Sequence, residues 1–311
     1  MLGLIKNLSS AGVLGINARN RQFVMAHNSR HAFPLVDDKL KSKKLAQTAG
    51  IAAPELYGVI ETIHDLQLLT EIIDQHPSCV IKPSHGSGGN GILVLTGKRK
   101  TRFIKANGET LDIRDVEYHT SNILSGVFSL GSIPDTAMIE YRVRQDPVFE
   151  HISYQGVPDI RLLVYQGFPA MAMVRLPTRN SDGKANLHQG AIGVGVDMTN
   201  GKTTFGVHHN RVVDEHPDLG VDLQGIQIPH WRQLLELGAS CYELTGLGYL
   251  GVDIVLDRVH GPLILEINAR PGLGIQIANK CGLTAILKTI DHAVEQKMPV
   301  PERIDWLAAQ I

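Results

Sequence analysis

The chain has 311 residues, of which 43% are hydrophobic and 20% are charged, an ordinary globular composition that excludes a disordered, collagenous or coiled-coil protein. Thirty lysines and arginines against 31 acids give a net charge of −1, so there is no overall basic field to hold nucleic acid or an anionic membrane. The length predicts about two domains.

The first half of the chain predicts alternating helices and strands. Residues 1–35 are polar and predict one or two helices without an independent domain. Asp37 or Asp38 can cap a helix that Gly50 ends, and residues 63–76 have the spacing of an amphipathic helix. A weakly patterned region follows from 98 to 135, with a strand near 101–105 and a helix. Four clearer strands are predicted over 56–61, 79–84, 92–97 and 136–143.

The second half predicts more hairpins. Residues 159–176 have the pattern of two strands around a turn near Gln166-Gly167. Two helices are predicted over 230–248 and 284–297, with a strand pair between them from 249 to 268. Because the strongest strands come as hairpins, we expect mixed or antiparallel sheets rather than a purely parallel sheet.

The strand pair 249–268 carries three oxygen ligands on one face. A hairpin loop at 258–261 places Asp253 directly opposite Glu266, with Asn268 two residues further on the same side. Opposed carboxylates repel, and a divalent cation removes that conflict; an all-oxygen set suits Mg²⁺, with Mn²⁺ as an alternative, when phosphates complete the shell. The other interpretation is a solvated face that carries acids by chance. The apolar face pairs Leu256–Leu263, Ile254–Leu265 and Val252–Ile267.

A glycine-rich segment follows the predicted strand 79–84. Gly86, Gly88 and Gly91 match G-x-G-x-x-G, but a strand-like run follows where the dinucleotide fingerprint requires a helix. Ile92 after Gly91 also excludes a Walker A loop. The remaining interpretation is a hairpin flap whose backbone N–H groups cover phosphates. Lys82, in the middle of the preceding strand, meets a phosphate or extends to solvent from an edge strand.

Several segments in a fixed order carry a resemblance to a known superfamily. The sequence resembles the ATP-grasp superfamily, and within it the ribosomal-protein glutamate ligase group and its alpha-L-glutamate ligase-like relatives. The resemblance spans residues 38–272 and rests on DDKLKSKKLAQTAGIAAPELYG, VIKPSHGSGGNGILVL, MIEYRV, PDIRLLVYQG, KANLHQGA, GVDIVL and LILEINARPGL.

This resemblance implies an α+β fold of the ATP-grasp type. Two α/β subdomains with mixed or antiparallel sheets are expected to grip ATP between them. The implied domains are an N-terminal helical extension over 1–37, a small subdomain with the flap over 38–143, and a large subdomain with the metal site over 144–311. The region before Lys39 is shorter than the N-terminal domain usual in the family.

The resemblance also implies roles for individual residues. Arg161, Arg175 and Arg270 are implied to be catalytic, and Asp253, Glu266 and Asn268 to bind the metal. The implied nucleotide-binding residues are Lys39, Lys82, Gly86, Ser87, Gly88, Gly89, Asn90, Gly91, Glu140, Tyr141, Arg142, Val143, Asp159, Lys184 and Asn186.

The residue patterns leave alternatives open for some of these positions. Lys39 sits among Lys41, Lys43 and Lys44, which is also typical of a solvated basic helix face. Glu140 can be ordinary strand surface, and His85 a solvent-facing loop residue. A two-residue loop between their strands would put Arg161 and Arg175 on opposite faces, which excludes one of them from the site.

Three functions are consistent with these features. The first is an ATP- and Mg²⁺-dependent carboxylate–amine ligase that forms an amide through an acyl phosphate, with glutamate, another amino acid or a peptide as substrate. The second is a phosphotransferase unlike protein kinases, whose H-R-D and D-F-G elements the chain lacks. The third is a nucleotide-binding protein that depends on a partner.

The acceptor half of the site and the cellular context have weaker signals. Arg19, Arg21 and Arg30 are candidates for a carboxylate clamp, with a solvated helix face as the alternative. A partner protein or a second copy of the chain could also complete the site.

Three widely spaced cysteines argue against a disulfide framework, and neither a signal peptide nor a membrane span is recognisable, so a cytoplasmic location is expected.

Overall fold

The computed structural model describes residue 8, residues 10–86 and residues 88–310. The chain forms two compact units. Among the described residues, the six-stranded unit comprises those of Asp37–Lys44 and Ala53–Val143, and the seven-stranded unit comprises those up to Val36, Leu45–Ala52 and those from Arg144 onward. Residues 45–52 and the described N-terminal residues therefore group with the seven-stranded unit. The domain boundaries expected from the sequence put residues 45–52 in the small subdomain and residues 1–37 in a separate extension.

Within the described residues, thirteen strands pair into two sheets. The six-stranded sheet contains β1 (Leu56–Ile60), β2 (Cys79–Pro83), β3 (Leu93–Arg99), β4 (Arg102–Lys105), β5 (Thr110–Leu111) and β6 (Ala137–Tyr141). The seven-stranded sheet contains β7 (Asp159–Tyr165), β8 (Phe168–Leu176), β9 (Ile192–Val196), β10 (Thr203–His208), β11 (Arg211–Val213), β12 (Tyr249–Asp257) and β13 (Gly261–Asn268).

The helices of the described chain lie between and around these strands. They are α1 (Ile16–Ala18), α2 (Met25–His27), α3 (Pro34–Asp37), α4 (Lys39–Thr48), α5 (Leu66–Gln75), α6 (Ile113–Leu124), α7 (Trp231–Thr245), α8 (Gly274–Ala278), α9 (Thr284–Asp291) and α10 (Val300–Ala308). A π-helical turn, Arg19–Val24, joins α1 to α2. The predicted cap of α4 is confirmed, because the Asp38 carboxylate accepts from the backbone N–H groups of Leu40 and Lys41.

The six-stranded sheet has the order β1-β6-β2-β3-β4-β5, and every adjacent pair is antiparallel. One face packs against α5 and α6 through a fully buried core that includes Leu69, Ile81, Ile123 and Ile139. Because side chains alternate along a strand, the neighbours of Ile81 and Ile139 point to the other face. That face carries the polar residues described below.

The seven-stranded sheet has the order β11-β10-β9-β8-β7-β12-β13 and is also antiparallel throughout. One face belongs to an apolar core with α7, in which Leu162, Val252 and Ile254 are fully buried. The other face is divided: Leu163 and Tyr249 belong to a second apolar cluster, and polar side chains occupy the remainder. The divided face determines where this unit can do chemistry.

The hairpin β12–β13 confirms part of the predicted register and corrects the rest. Asp253 pairs with Glu266 and Val252 with Ile267, as predicted. Beyond a β-bulge at Leu265, Ile254 pairs with Ile264 and Leu256 with Pro262, so the predicted pairs Ile254–Leu265 and Leu256–Leu263 are wrong. One extra residue on β13 shifts the distal half of the hairpin.

No helix of the described residues is both long and apolar enough to cross a membrane.

Candidate functional site

An array of buried and half-buried charged side chains lies on the polar part of the seven-stranded sheet. We call Asp159, Arg161, Arg175, Asp253 and Glu266 the acidic array. Arg161 donates from Nη2 to Asp253 Oδ2 over 2.8 Å and also from Nε to Oδ1. Arg175 donates from Nε and Nη2 to the two oxygens of Asp159, each over 2.5 Å, and its Nη2 lies 2.8 Å from Asp253 Oδ2. These bidentate contacts fix both carboxylates in a protein interior.

The two arginines share a face because of a second β-bulge. The loop between β7 and β8 consists of Gln166 and Gly167, both with positive φ, so it has the two residues that would separate Arg161 from Arg175. An extra residue at Ala170, however, shifts the register so that Asp159 pairs with Arg175 and Arg161 with Met173. The expectation that a two-residue loop excludes one arginine is therefore wrong, since the bulge reverses the facing of β8 beyond it.

The three predicted metal ligands lie on neighbouring positions of this face. Asp253 is directly opposite Glu266 on β13 and Arg161 on β7, and the Asn268 amide lies 3.4 Å from Asp253 Oδ2. No cluster of three acidic, histidine or cysteine side chains suited to a metal occurs in the described chain. Two carboxylates and an amide oxygen fit Mg²⁺ in chemistry, and phosphate oxygens would have to complete the shell.

The two aspartates of the acidic array differ in how their surroundings shift the pKa of each carboxyl group. Burial raises the pKa of Asp253, but the charges of Arg161 and Arg175 outweigh it and hold that pKa below the ordinary value. Burial raises the pKa of Asp159, and the neighbouring Asp253 charge adds to the increase against the effect of Arg175. With three carboxylates and two guanidinium groups, the fully ionised array carries one net negative charge.

A second buried cluster lies on the polar face of the six-stranded sheet. We call Lys43, Lys82 and Glu140 the cationic cluster. Lys82 on β2 is 7% exposed, and its Nζ lies 2.5 Å from Glu140 Oε1. Glu140 on β6 is 3% exposed and forms a second ion pair with Lys43. Two ammonium groups and one carboxylate leave one net positive charge, so Glu140 is not ordinary strand surface and Lys82 does not extend to solvent.

Lys43 is the residue that sequence reasoning missed. It lies on α4 one turn after Lys39, where it was considered only as part of a solvated basic face, yet it is 5% exposed. Its Nζ also donates to the carbonyl of Pro54 over 2.6 Å. Burial lowers the pKa of Lys43 to about 8, against the opposing effect of the Glu140 charge. Its i+4 spacing from Lys39 was the available signal.

The glycine-rich loop connects two antiparallel strands, β2 and β3, which confirms a hairpin without a following helix. Lys39 donates from Nζ to the Gly86 carbonyl over 2.6 Å. Gly88, Gly89 and Gly91 all have positive φ, and a Cβ on Gly91 would lie 2.6 Å from the Phe128 ring. Glycine is therefore required at this position by both conformation and space.

The base of this loop is held by a histidine–aspartate pair. His85 is exposed, and its Nδ1 lies 2.8 Å from Oδ1 of the fully buried Asp135 carboxylate. Asp135 also accepts from the backbone N–H of His85 and from Ser129 Oγ. Nε2 of His85 lies 3.8 Å from Asp38. His85 is thus a fixed residue of the loop base between two carboxylates.

The other predicted site residues have varied surroundings. Arg142 donates to Ser78 Oγ over 2.9 Å, Arg270 is exposed and lies over the Phe33 ring at 4.4 Å, and Asn186 caps a turn at Leu187–Gln189. Among the described residues, no hydrogen bond or ion pair joins the Lys184 or Asn186 side chain to the acidic array. Ser87 lies outside the described residues. Gly88 and Asn90 are exposed, Gly89 and Tyr141 half-buried and Val143 buried.

Two relatives of the chain with similar sequences are both named as probable alpha-L-glutamate ligases. It is 26% identical over 238 residues to a probable alpha-L-glutamate ligase of Maridesulfovibrio salexigens, covering 76% of this chain and 56% of that protein. It is 26% identical over 265 residues to a protein of the same name from Aeromonas salmonicida, covering 83% and 66%. The chain therefore spans between about half and two thirds of the length of these relatives.

Among solved structures, the fold is similar to that of a biotin carboxylase–βγ-ATP complex from Campylobacter jejuni. The TM-score is 0.50 at 14% identity, covering 88% of this chain and 49% of that one. This similarity, together with the two antiparallel sheets and their helices, identifies the fold as the α+β fold of ATP-grasp proteins. The family model described as sugar-transfer associated ATP-grasp matches residues 18–292. The chain belongs to the sugar-transfer associated ATP-grasp family.

Proposed function

We propose that the protein is an ATP-dependent ligase that joins a carboxylate to an amine. The observation that carries the proposal is the acidic array, in which Asp253 lies opposite Glu266 and beside Asn268 while two arginines keep it ionised. Membership of an ATP-grasp family supports the use of ATP, and the names of the relatives nominate L-glutamate as the first substrate to test.

The reaction that we propose consists of two successive displacement steps. A carboxylate oxygen attacks the γ-phosphorus of ATP, the bond from that phosphorus to the bridging oxygen breaks, and ADP leaves. The amine nitrogen then attacks the acyl carbon, phosphate leaves, and the proton of the amine passes to solvent. An amide, ADP and phosphate are the products. Positioning and neutralisation of charge are the main demands on the protein.

The two clusters meet these demands in different ways. The cationic cluster offers Lys43 and Lys82, whose excess positive charge attracts phosphate oxygens, and the N–H groups of the glycine-rich loop add further donors. Asp253, Glu266 and Asn268 would hold Mg²⁺, which supplies charge neutralisation for the phosphates when bound. Arg161 and Arg175 direct their guanidinium groups to Asp253 and Asp159, so we assign them to positioning these carboxylates rather than to contact with substrate.

Trapping of the activated carboxylate by hydroxylamine tests the proposal. The protein is incubated with Mg-ATP, L-glutamate, a panel of small carboxylates and hydroxylamine, and both hydroxamate and ADP are measured. We expect both products from the wild-type chain and from Glu236→Gln, which changes one of two surface partners of Arg232. Glu266→Gln should abolish hydroxamate while leaving the thermal unfolding of the chain close to that of the wild type.

The products also separate this proposal from its competitors. ADP that forms with an added alcohol but without hydroxamate would replace the ligase by a phosphotransferase. Hydroxamate that persists in Glu266→Gln would remove this residue from the reaction. Absence of both products from the wild-type chain, with no change of melting temperature on adding Mg-ADP, would contradict nucleotide chemistry as a whole.

A further inference from the structure

One of the three N-terminal arginines differs from the other two. Arg21 and Arg30 are exposed, whereas Arg19 is only 6% exposed. Arg19 is also the first residue of the π-helical turn Arg19–Val24. Such turns are rare and occur frequently at functional sites. The alternative of a solvated helix face therefore holds for Arg21 and Arg30 but not for Arg19.

The guanidinium of Arg19 has no anionic partner among residues 10–86 and 88–310. Its Nη1 donates to the carbonyl of Pro271 over 2.6 Å, and its buried Nε has no acceptor among the described residues. A guanidinium has five N–H donors, and the described part of the chain offers an acceptor to one of them. A buried cation without a carboxylate is destabilising, so a protein that retains one is expected to use it for an anionic ligand.

Tyr249 provides a second unsatisfied polar group beside Arg19. Its side chain is fully buried, and its hydroxyl has no hydrogen-bond partner within the described chain. Phe23, which belongs to the same π-helical turn as Arg19, has its ring centroid 5.8 Å from that of Tyr249. Burial raises the pKa of Tyr249, and the Arg19 charge opposes that increase. Asn28 fixes this strand end, because its amide pairs with both the N–H and the carbonyl of Tyr249.

The register of β12 places this pair next to the acidic array. Tyr249, Gly251 and Asp253 alternate onto one face of the strand, at intervals of roughly 6.6 Å. A Cβ on Gly251 would lie 2.6 Å from Cβ of Pro271 and 3.3 Å from Cδ of Arg161. Pro271, which accepts from Arg19, therefore packs on the strand beside the arginine that pairs with Asp253.

We propose that Arg19 and Tyr249 form a subsite for a substrate carboxylate that is not activated. An arginine and a phenol bind a carboxylate through charge-assisted hydrogen bonds, and an anion held in this way would satisfy both orphaned groups. The substrate then carries this carboxylate in addition to its reacting group, as a free amino acid or the C-terminus of a peptide does. This inference rests on the proposed ligase function and adds the chemical class of its substrate.

The test uses acetate as the probe for the shared carboxylate chemistry. Melting temperatures are measured in acetate and in chloride at matched ionic strength for the wild-type chain, Arg19→Met and the matched control Arg21→Met. We expect acetate to stabilise the wild type and Arg21→Met more than chloride does. In Arg19→Met, the acetate concentration that gives half of the maximal rise in melting temperature should increase about tenfold or more. The melting temperature of this variant without acetate should not fall below that of the wild type.

Two further arms make the result decisive. Tyr249→Phe removes only the hydroxyl and is expected to fold, and it should weaken the acetate shift even if Arg19→Met fails to fold. Free L-glutamate and the dipeptide alanyl-alanine distinguish the two sources of the carboxylate, because only the correct one should act at lower concentration than acetate. An acetate shift that is absent from the wild type, or equal in all variants, would overturn the proposal.

A parallel titration with Mg-ADP separates this inference from the proposed function. The nucleotide should raise the melting temperature of the wild type, Arg19→Met and Tyr249→Phe equally, since neither residue belongs to the cationic cluster. If the nucleotide shift is present and the dependence of acetate binding on Arg19 is absent, only the carboxylate subsite is wrong. If the nucleotide shift is absent from the wild type, the proposed function fails while the acetate result still stands.

Discussion

The two units contain buried charge clusters that are built from similar parts in opposite proportions. The cationic cluster combines two lysines with Glu140, and the acidic array combines two arginines with three carboxylates. In each, a polar side chain that would be expensive to bury alone is accompanied by a partner of opposite charge. The clusters thus differ in the sign of the charge that remains.

This difference indicates which ligand each cluster can accept. Flexible ammonium groups around a single carboxylate can turn to phosphate oxygens, because a lysine is a point charge with rotatable donors. Guanidinium groups that hold two carboxylates by bidentate contacts are fixed, and the half-buried Glu266 adds a third carboxylate to the array. The first cluster is suited to an anion and the second to a cation, and each of the following experiments changes one of these balances.

The largest effect is expected from Asp253→Asn. The substitution removes the carboxylate that Arg161 and Arg175 share, so it should lower the free energy of unfolding by about 3–5 kcal/mol and hydroxamate formation by a factor of about 10² to 10³. Urea denaturation and the trapping assay measure the two effects. Asp305→Asn, which changes an exposed partner of Arg232, should alter neither. An Asp253→Asn chain with wild-type stability would contradict a fixed array.

Glu140→Gln tests the cationic cluster in the same way. The change leaves Lys43 and Lys82 buried without a counter-charge, so we expect a loss of about 3 kcal/mol in the free energy of unfolding. Because the remaining groups are both cationic, pyrophosphate should restore more stability to this variant than to the wild type. Pyrophosphate should not restore Asp253→Asn. Equal recovery of both variants, measured by thermal unfolding, would remove the proposed difference between the clusters.

The sequence was sufficient for much of this architecture because its signals are local. Alternation along residues 249–268 placed Asp253 opposite Glu266 without knowledge of the rest of the chain, and the Asp38 cap and the strand–loop–strand around Gly86 were confirmed on equally short segments. Antiparallel sheets were expected from strands that come as hairpins, and the resemblance to the ATP-grasp superfamily implied the α+β class. These features depend on periods of two or about four residues, which any segment of the chain displays on its own.

The features that sequence could not supply depend on single insertions or on distant partners. The extra residues at Ala170 and Leu265 leave the apolar pattern almost unchanged, yet the first brings Arg175 to the same face as Arg161. Lys43 is buried because Glu140 lies beside it, almost one hundred residues away in the chain. Charged residues are mostly exposed, so a lysine in a basic run is read as solvated until its partner is known.

Lys43 of the cationic cluster is expected to make the free energy of unfolding depend on pH. Its pKa of about 8 in the folded chain lies below the ordinary 10.5, so between these values the unfolded chain binds more protons and the free energy of unfolding rises with pH. The rise from this residue should reach about 3 kcal/mol at most. Urea denaturation across this range should show it in the wild type and in Lys41→Met, an exposed neighbour on α4.

Lys43→Met should lack this contribution, because the titrating group is gone. The difference in unfolding free energy between wild type and Lys43→Met should therefore change with pH between 8 and 10.5, in favour of the wild type as pH rises. A constant difference over this range would show that Lys43 titrates as an ordinary exposed lysine, and the buried ion pair of Lys43 with Glu140 would then not describe the protein in solution.

The smallest effect is expected from Asn268→Asp, which adds a carboxylate beside Asp253. The acidic array gains a second net negative charge, so the free chain should lose about 1 kcal/mol of unfolding free energy through repulsion across the hairpin. Mg²⁺ should offset that loss, since a further carboxylate strengthens a site for a hard cation. Thermal unfolding with Mg²⁺ and with a chelator measures both effects, and the Mg²⁺-dependent rise should exceed that of the wild type. An equal rise in the two chains would place the cation away from Asn268.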